Sequence, residues 1–137
     1  MYLLDTNVIS ELRKNKPHGA VLAWLQTVNA DKLFLSAVTI GEIQAGIENT
    51  RKQDAKKAQE IEAWLGQIID SFGVLPMDGE EFRIWAQMMH GRSDAIYEDA
   101  MIAATAKTNN LTVATRNTSD FKGLGVLLVN PFKHPGQ

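Results

Sequence analysis

Residues 1–10 read MYLLDTNVIS. Tyr2, Leu3 and Leu4 form an unbroken apolar run, the pattern of a short strand buried on both faces. The run stops at Asp5, and Thr6-Asn7 then opens a helical pattern. A carboxylate at the handover from strand to helix occupies the place where open α/β sheets bind their ligands. A fold that uses this position needs more short apolar strands, helices between them, and more acids at strand ends.

The strands recur. Apolar runs lie at residues 33–36, 72–76, 111–115 and 125–129, besides 2–5. Helical periodicity fills the gaps between them. Pro17 can begin a helix that places Val21, Leu22, Leu25 and Val28 on one face. Ile40, Ile43 and Ile47 share a face over 39–49, and Ala58, Ile61, Leu65 and Ile68 share one over 53–69. Phe82, Trp85, Ala86 and Met89 suggest a fourth helix over 79–90. The stretch AMIAATAKT is apolar nearly all round and predicts a buried helix. Strands alternating with helices imply right-handed βαβ crossovers. The expected fold is α/β: a three-layer α/β/α domain, with a central, mainly parallel sheet of about five strands, formed as a single domain over 1–137.

Bulk properties narrow the function. The chain has 137 residues, enough for one hydrophobic core, with 45% hydrophobic and 22% charged residues. It contains no cysteine, so disulfides and thiolate zinc sites are excluded. The N-terminus lacks the basic start and apolar core of a signal peptide, and no run is long enough to span a bilayer. A cytoplasmic protein is expected. The net charge of −2 argues against a simple nucleic-acid coat protein. It argues less against a nuclease, whose clustered acids are masked by cations.

Four carboxylates fall at comparable places. Asp5 ends the first strand, and Glu42 sits one turn into the helix after the second. Asp99 begins the buried helix, and Asp120 follows the fourth strand. In a parallel sheet such positions share one edge. Converging carboxylates would repel without a cation, whereas Mg²⁺ or Mn²⁺ takes carboxylate and water oxygens. Each acid also has a simpler role. Asp5 and Asp99 can cap helices, Glu42 can be a solvated charge, and Asp120 can form an Asx turn within NTSD. Thr6, Asn7, Ser36, Thr115 and Asn117 offer neutral hydrogen bonds that would orient carboxylates or waters, or serve as caps and turns. Arg116, directly after the fourth strand, can meet a phosphate. Gly46, one turn after Glu42, leaves room for a substrate. Arg13, Lys14 and Lys16 form one basic cluster and Arg51, Lys52, Lys56 and Lys57 another, the second interleaved with acids.

In order, LDTNVISEL, SAVTIGEI, EDAMIAATA, LTVATRNTSDF and VLLVNPF resemble the motifs of PIN-domain ribonucleases, above all the VapC and FitB toxins of prokaryotic type II toxin–antitoxin systems. The likeness runs from Met1 to about Phe132. It implies a PIN fold and Mg²⁺- or Mn²⁺-dependent cleavage of RNA by metal-activated water, with one or two ions held by Asp5 and Asp99 and also by Glu42 and Asp120, directly or through water. Asp5, Glu42 and Asp99 match the family's most regular acids. Asp120 matches a more variable fourth, a role that Asn117 can share. The resemblance further implies a homodimer and a cognate antitoxin protein. Two other readings compete. One is a receiver-like phosphoacceptor domain built on Asp5, Asp78, Thr115 and Lys133. The other is a PIN-fold binding module without catalysis.

Overall fold

Strands β1 (Tyr2–Leu4), β2 (Leu33–Ser36), β3 (Gly73–Leu75), β4 (Thr112–Ala114) and β5 (Leu128–Val129) lie side by side in the order β3-β2-β1-β4-β5. Every pairing is parallel. The structure is a computed structural model and describes residues 1–135; the last two positions of the 1–137 domain reading lie outside the described residues. Helices α1 (Thr6–Ile9), α2 (Gly19–Gln26), α3 (Ala37–Arg51), α4 (Ala55–Ser71), α5 (Gly79–Met89) and α6 (Tyr97–Thr108) connect the strands.

Alternation along the strands sends side chains to opposite faces. Leu4, Leu33 and Leu35 join Val8, Ile43, Ile47, Leu65 and Ile68 in a core beneath α1–α4. Leu3 and Val113, with Phe34 beside them, pack against Ile102, Ala103 and Ala106 of α6. Leu3, Leu4 and Leu35 are completely buried, each contributing about 1.5–3 kcal/mol from removal of apolar surface. The three layers expected from the sequence are thus present. A Cβ at Gly73 would lie 2.8 Å from the Phe34 ring, so a side chain there would have to displace that ring where β3 pairs with β2.

Two helix faces differ from expectation. Helix α2 ends at Gln26, which leaves Val28 outside it, and its buried residues are Ala20, Val21 and Trp24. Leu22 is exposed. The cause is Trp24, which packs edge-on against Tyr2 with ring centroids 5.0 Å apart and turns that face inward. In α5, Phe82 and Ala86 face outward, while Glu81 is buried and Met88 packs on the α6-side core. Glu81 accepts a hydrogen bond from the Asp78 N–H at 2.8 Å, and this capping box fixes the helix rotation.

The strand order has a functional consequence. From β1 the chain moves outward through β2 to β3, then crosses to the other side of β1 to form β4. The topology therefore reverses between β1 and β4, and ligands bind in the crevice at the carboxyl ends of such a pair. A receiver-like domain has its strands in the order 2-1-3-4-5, which this sheet does not follow. Asp78, which that reading would use, caps α5 instead.

Candidate active site

Asp5 stands at the crevice. Its backbone N–H continues the ladder to the Ala114 carbonyl at 2.9 Å, so the carboxylate is fixed to the ends of β1 and β4 together. Asp5 Oδ1 accepts from the Thr6 N–H at 2.8 Å and caps α1. Asp5 Oδ2 accepts from Thr115 Oγ1 at 2.8 Å and from Asn7 Nδ2 at 3.2 Å. Thr115 Oγ1 itself accepts from the Asn117 N–H at 3.0 Å and from Asn7 Nδ2 at 3.3 Å. With its lone pairs engaged, the hydroxyl proton is directed at Asp5. Capping and site architecture are therefore one arrangement here, not alternatives.

Glu42 reaches the same edge from α3. Thr6 Oγ1 donates to Glu42 Oε1 at 3.2 Å and lies 3.2 Å from the buried Thr39 Oγ1. On its other side Glu42 meets Glu98, a residue the sequence pattern did not single out. Burial, then the Glu98 charge and a hydrogen-bond contact with the Glu98 carboxyl, push the Glu42 carboxyl up to about 7. The Thr6 hydroxyl opposes this and the Asp5 charge adds to it. In the sequence Asp99, the neighbour of Glu98 in YEDA, carries the motif. The adjacent pair of acids was the available signal.

Asp99 occupies the first turn of α6, whose N-cap is Ile96 with no side-chain cap. Capping is thus not its role. Burial, followed by the charges of Asp5, Asp120 and Glu98, pushes it up to about 6. Burial also raises Asp5, against the lowering effect of its donors Thr115, Thr6 and Asn7, and the Asp120 charge adds to the rise. Asp120 is exposed on a 3-10 turn (Thr118–Phe121), and its N–H bonds to the Asn117 carbonyl at 3.1 Å. Asp5, Glu42, Asp99 and Asp120 therefore share one electrostatic environment, with Glu98 as a fifth member.

The neutral residues divide. Thr6, Asn7 and Thr115 orient carboxylates. Ser36 does not: its buried hydroxyl accepts from the Val38 N–H at 3.1 Å and caps α3. Asn117 contributes a backbone N–H, with its exposed side chain free of any hydrogen bond among the described residues. The Arg116 N–H donates to Asn7 Oδ1 at 3.1 Å, and its guanidinium lies 4.3 Å over the Phe132 ring rather than against an acid. A Cβ at Gly46 would meet nothing within 4 Å, so the residue lines open space in a cleft of about 260 Å³ shared with Thr6 and Glu42. In the second basic cluster Arg51 pairs with Glu48 and Glu62, both at 3.0 Å, as expected of a solvated face. Burial alone does not assign an acid to the site. Glu11 is buried, but it accepts the His18 N–H at 2.9 Å and pairs with Lys14, joining two segments of backbone.

The acids at this edge offer hard oxygen donors that repel one another, which suits a hard divalent cation. Among the described residues, no three acidic or histidine side chains are grouped closely enough to enclose an ion. The donors at the edge are all oxygens, the ligand type that Mg²⁺ and Mn²⁺ take.

Comparison with known proteins agrees with this architecture. The PIN domain family model matches residues 2–126. The toxin FitB of Neisseria gonorrhoeae is 39% identical over 96% of this chain and 99% of its own length. The VapC ribonuclease Y4jK of Sinorhizobium fredii is 36% identical over 97% of this chain and 99% of its own. A crystal structure of FitAcB from Neisseria gonorrhoeae superposes with a TM-score of 0.85 at 38% identity, covering 97% of this chain and 99% of that one. The chain belongs to the PIN-domain family. Within that family it stands with the VapC and FitB toxins.

Proposed function

We propose that this protein is the toxin of a type II toxin–antitoxin system and acts as a divalent-metal-dependent endoribonuclease. The observation that carries this reading is the placement of Asp5 at the β1–β4 switch point, where Thr6 joins it to Glu42, with Asp99 and Asp120 near enough to act on it electrostatically. Relatives named as ribonucleases support the activity. Likeness to the toxin FitB and to the FitAcB structure supports a cognate antitoxin as protein partner. Mg²⁺ or Mn²⁺, as one or two ions, suits the all-oxygen donor set. A homodimer, a single domain over 1–137 and a cytoplasmic setting in a prokaryotic cell complete the reading. Among the described residues no helix is long and apolar enough to cross a membrane.

In this reading Asp5 and Asp99 hold the cation, and Glu42 and Asp120 hold it directly or through water. When bound, such an ion polarises a phosphoryl oxygen and lowers the pKa of a water. The chain's own residues do the positioning. Thr115, Asn7 and the Thr6 N–H fix both oxygens of Asp5. Thr6 Oγ1 turns Glu42 toward the same edge. Arg116, exposed at the end of β4, offers a phosphate contact. No histidine has a part in this scheme.

The test is cleavage of RNA by the purified protein with Mg²⁺ or Mn²⁺, with EDTA, and as Asp5→Asn. Loss of cleavage in EDTA and in the variant, with the melting curve retained, is expected. Undiminished cleavage by Asp5→Asn, after contaminating ribonuclease is excluded, overturns the assignment.

A further inference from the structure

Beyond Asp120 the chain runs into a second concave surface. Gly123 and Gly125 hold φ values of +81° and +76°, so the backbone turns twice through the left-handed region. A cavity of about 320 Å³ opens there, lined by Gln87, His90, Arg92, Lys107 and both glycines among others. Arg92 Nη2 donates to the Gly123 carbonyl at 2.9 Å. A Cβ at Gly123 would sit 3.2 Å from that nitrogen, so glycine lets the guanidinium lie flat on the turn. Lys107 Nζ lies 3.5 Å from where a Cβ of Gly125 would be.

The charge pattern is one-sided. No lining residue is acidic, and neither Arg92 nor Lys107 joins an ion pair among the described residues. This occurs in a chain with 16 acids against 14 lysines and arginines. Lys107 sits in the last turn of α6, where the helix dipole favours a cation. Arg92 follows the end of α5 and gives one donor to the Gly123 carbonyl, and with Lys107 it lines a concave surface that holds no acid.

We propose that this cavity is a phosphate-binding subsite for the RNA strand flanking the cleavage point, an inference that rests on the ribonuclease reading above. Arg92 keeps donors free after its bond to Gly123, in the planar fork that suits phosphate, and Lys107 adds a point charge. The missing Cβ atoms let both cationic side chains lie against the turn. Asp120 and Gly123 are three residues apart, at most about 11 Å of extended chain. Lys107 stands at the far end of α6 from Asp99, about 12 Å along the helix, so a strand with one phosphate at the acidic edge can lay a phosphate further along its backbone here. The acids at the edge repel the rest of the RNA backbone, and nearby cations offset that repulsion.

The experiment compares the full-length wild type with Arg92→Gln/Lys107→Gln, and with Lys107→Gln alone should the double variant fold poorly. Cleavage of a single-stranded RNA is followed with Mg²⁺ or Mn²⁺ over a range of salt. The double variant is expected to raise KM about tenfold with kcat unchanged. Its plot of log(kcat/KM) against log salt should lose about 1.4 from its slope, or about 0.7 for Lys107→Gln alone. On a dinucleotide substrate, too short to reach the cavity, wild type and variants should be equal. Unchanged KM and salt slope, with wild type active, overturn the subsite alone. Loss of antitoxin co-purification with RNA kinetics unchanged also overturns it and assigns the cavity to a protein partner. A wild type that cleaves no RNA overturns the ribonuclease reading and this inference with it.

Discussion

Asp5 and Glu42 stand on one acidic edge, yet they are built in opposite ways. Asp5 has three hydrogen-bond donors on its two oxygens, each held by a strand end or a helix start. Glu42 has one hydroxyl donor and faces another carboxyl. The Asp5 corner is organised before any ligand arrives. The Glu42–Glu98 corner stays electrostatically unresolved until a cation or a proton arrives. A site of this kind combines a rigid reference point with a corner whose state depends on what is bound.

Removing the organised corner should have the largest effect. Asp5→Asn should lower kcat/KM by about a thousandfold or more, about 4 kcal/mol of barrier, in a cleavage assay with the melting temperature largely retained. Next comes its support. Thr115→Val deletes the donor to Asp5 Oδ2 and should lower metal affinity or activity about 10–100-fold, read by metal titration of cleavage. A Thr115→Val enzyme indistinguishable from wild type would end the contrast drawn between the corners.

The unresolved corner predicts a pH effect of smaller size. In the metal-free fold Glu42 stands at about 7 against an ordinary 4.5, and Asp99 at about 6 against 3.8. The folded protein therefore binds protons that the unfolded chain has released. Its contribution to stability is greatest below about pH 4 and is lost as pH rises through about 7. Discounted for their half-exposure, the two groups account for about 1–2 kcal/mol. Denaturant melts of the EDTA-treated protein from pH 4.5 to 8 measure this decline. Divalent metal should reverse it, and more at pH 8 than at pH 5.5, because protons compete for the same oxygens. The smallest effect belongs to Glu98→Gln. By relieving Glu42 it should raise the metal-free melting temperature at pH 8 by about 1–3 °C and flatten the pH decline. A lowered melting temperature would show that Glu98 supports the fold and does not strain it.

Strands and acids were legible in the sequence for a physical reason. A parallel strand covered on both faces needs a continuous apolar run, and Tyr2-Leu3-Leu4 or Leu33-Phe34-Leu35 has few other uses. The nearly all-apolar middle of α6 was equally plain. Faces of the short helices α2 and α5 were less so, because Trp24 and Glu81 set their rotation through partners remote from any periodicity. Ser36 had the chemistry of a carboxylate partner but serves α3 as its cap, a choice only the direction of the chain decides. Glu98 lacked any signal apart from its neighbour. That Thr115 supports Asp5 was readable as residue type and strand-end position, whereas the bond itself depends on β1 and β4 being adjacent.

That adjacency also orders the events of synthesis. Asp5 precedes its partner Thr115 by 110 positions along the chain. Contacts this distant along the chain form late and close a long loop. Until β4 is made, β1 lacks one of its two neighbours and the crevice has only one wall. A site assembled this way is incomplete in any partial chain that stops short of β4.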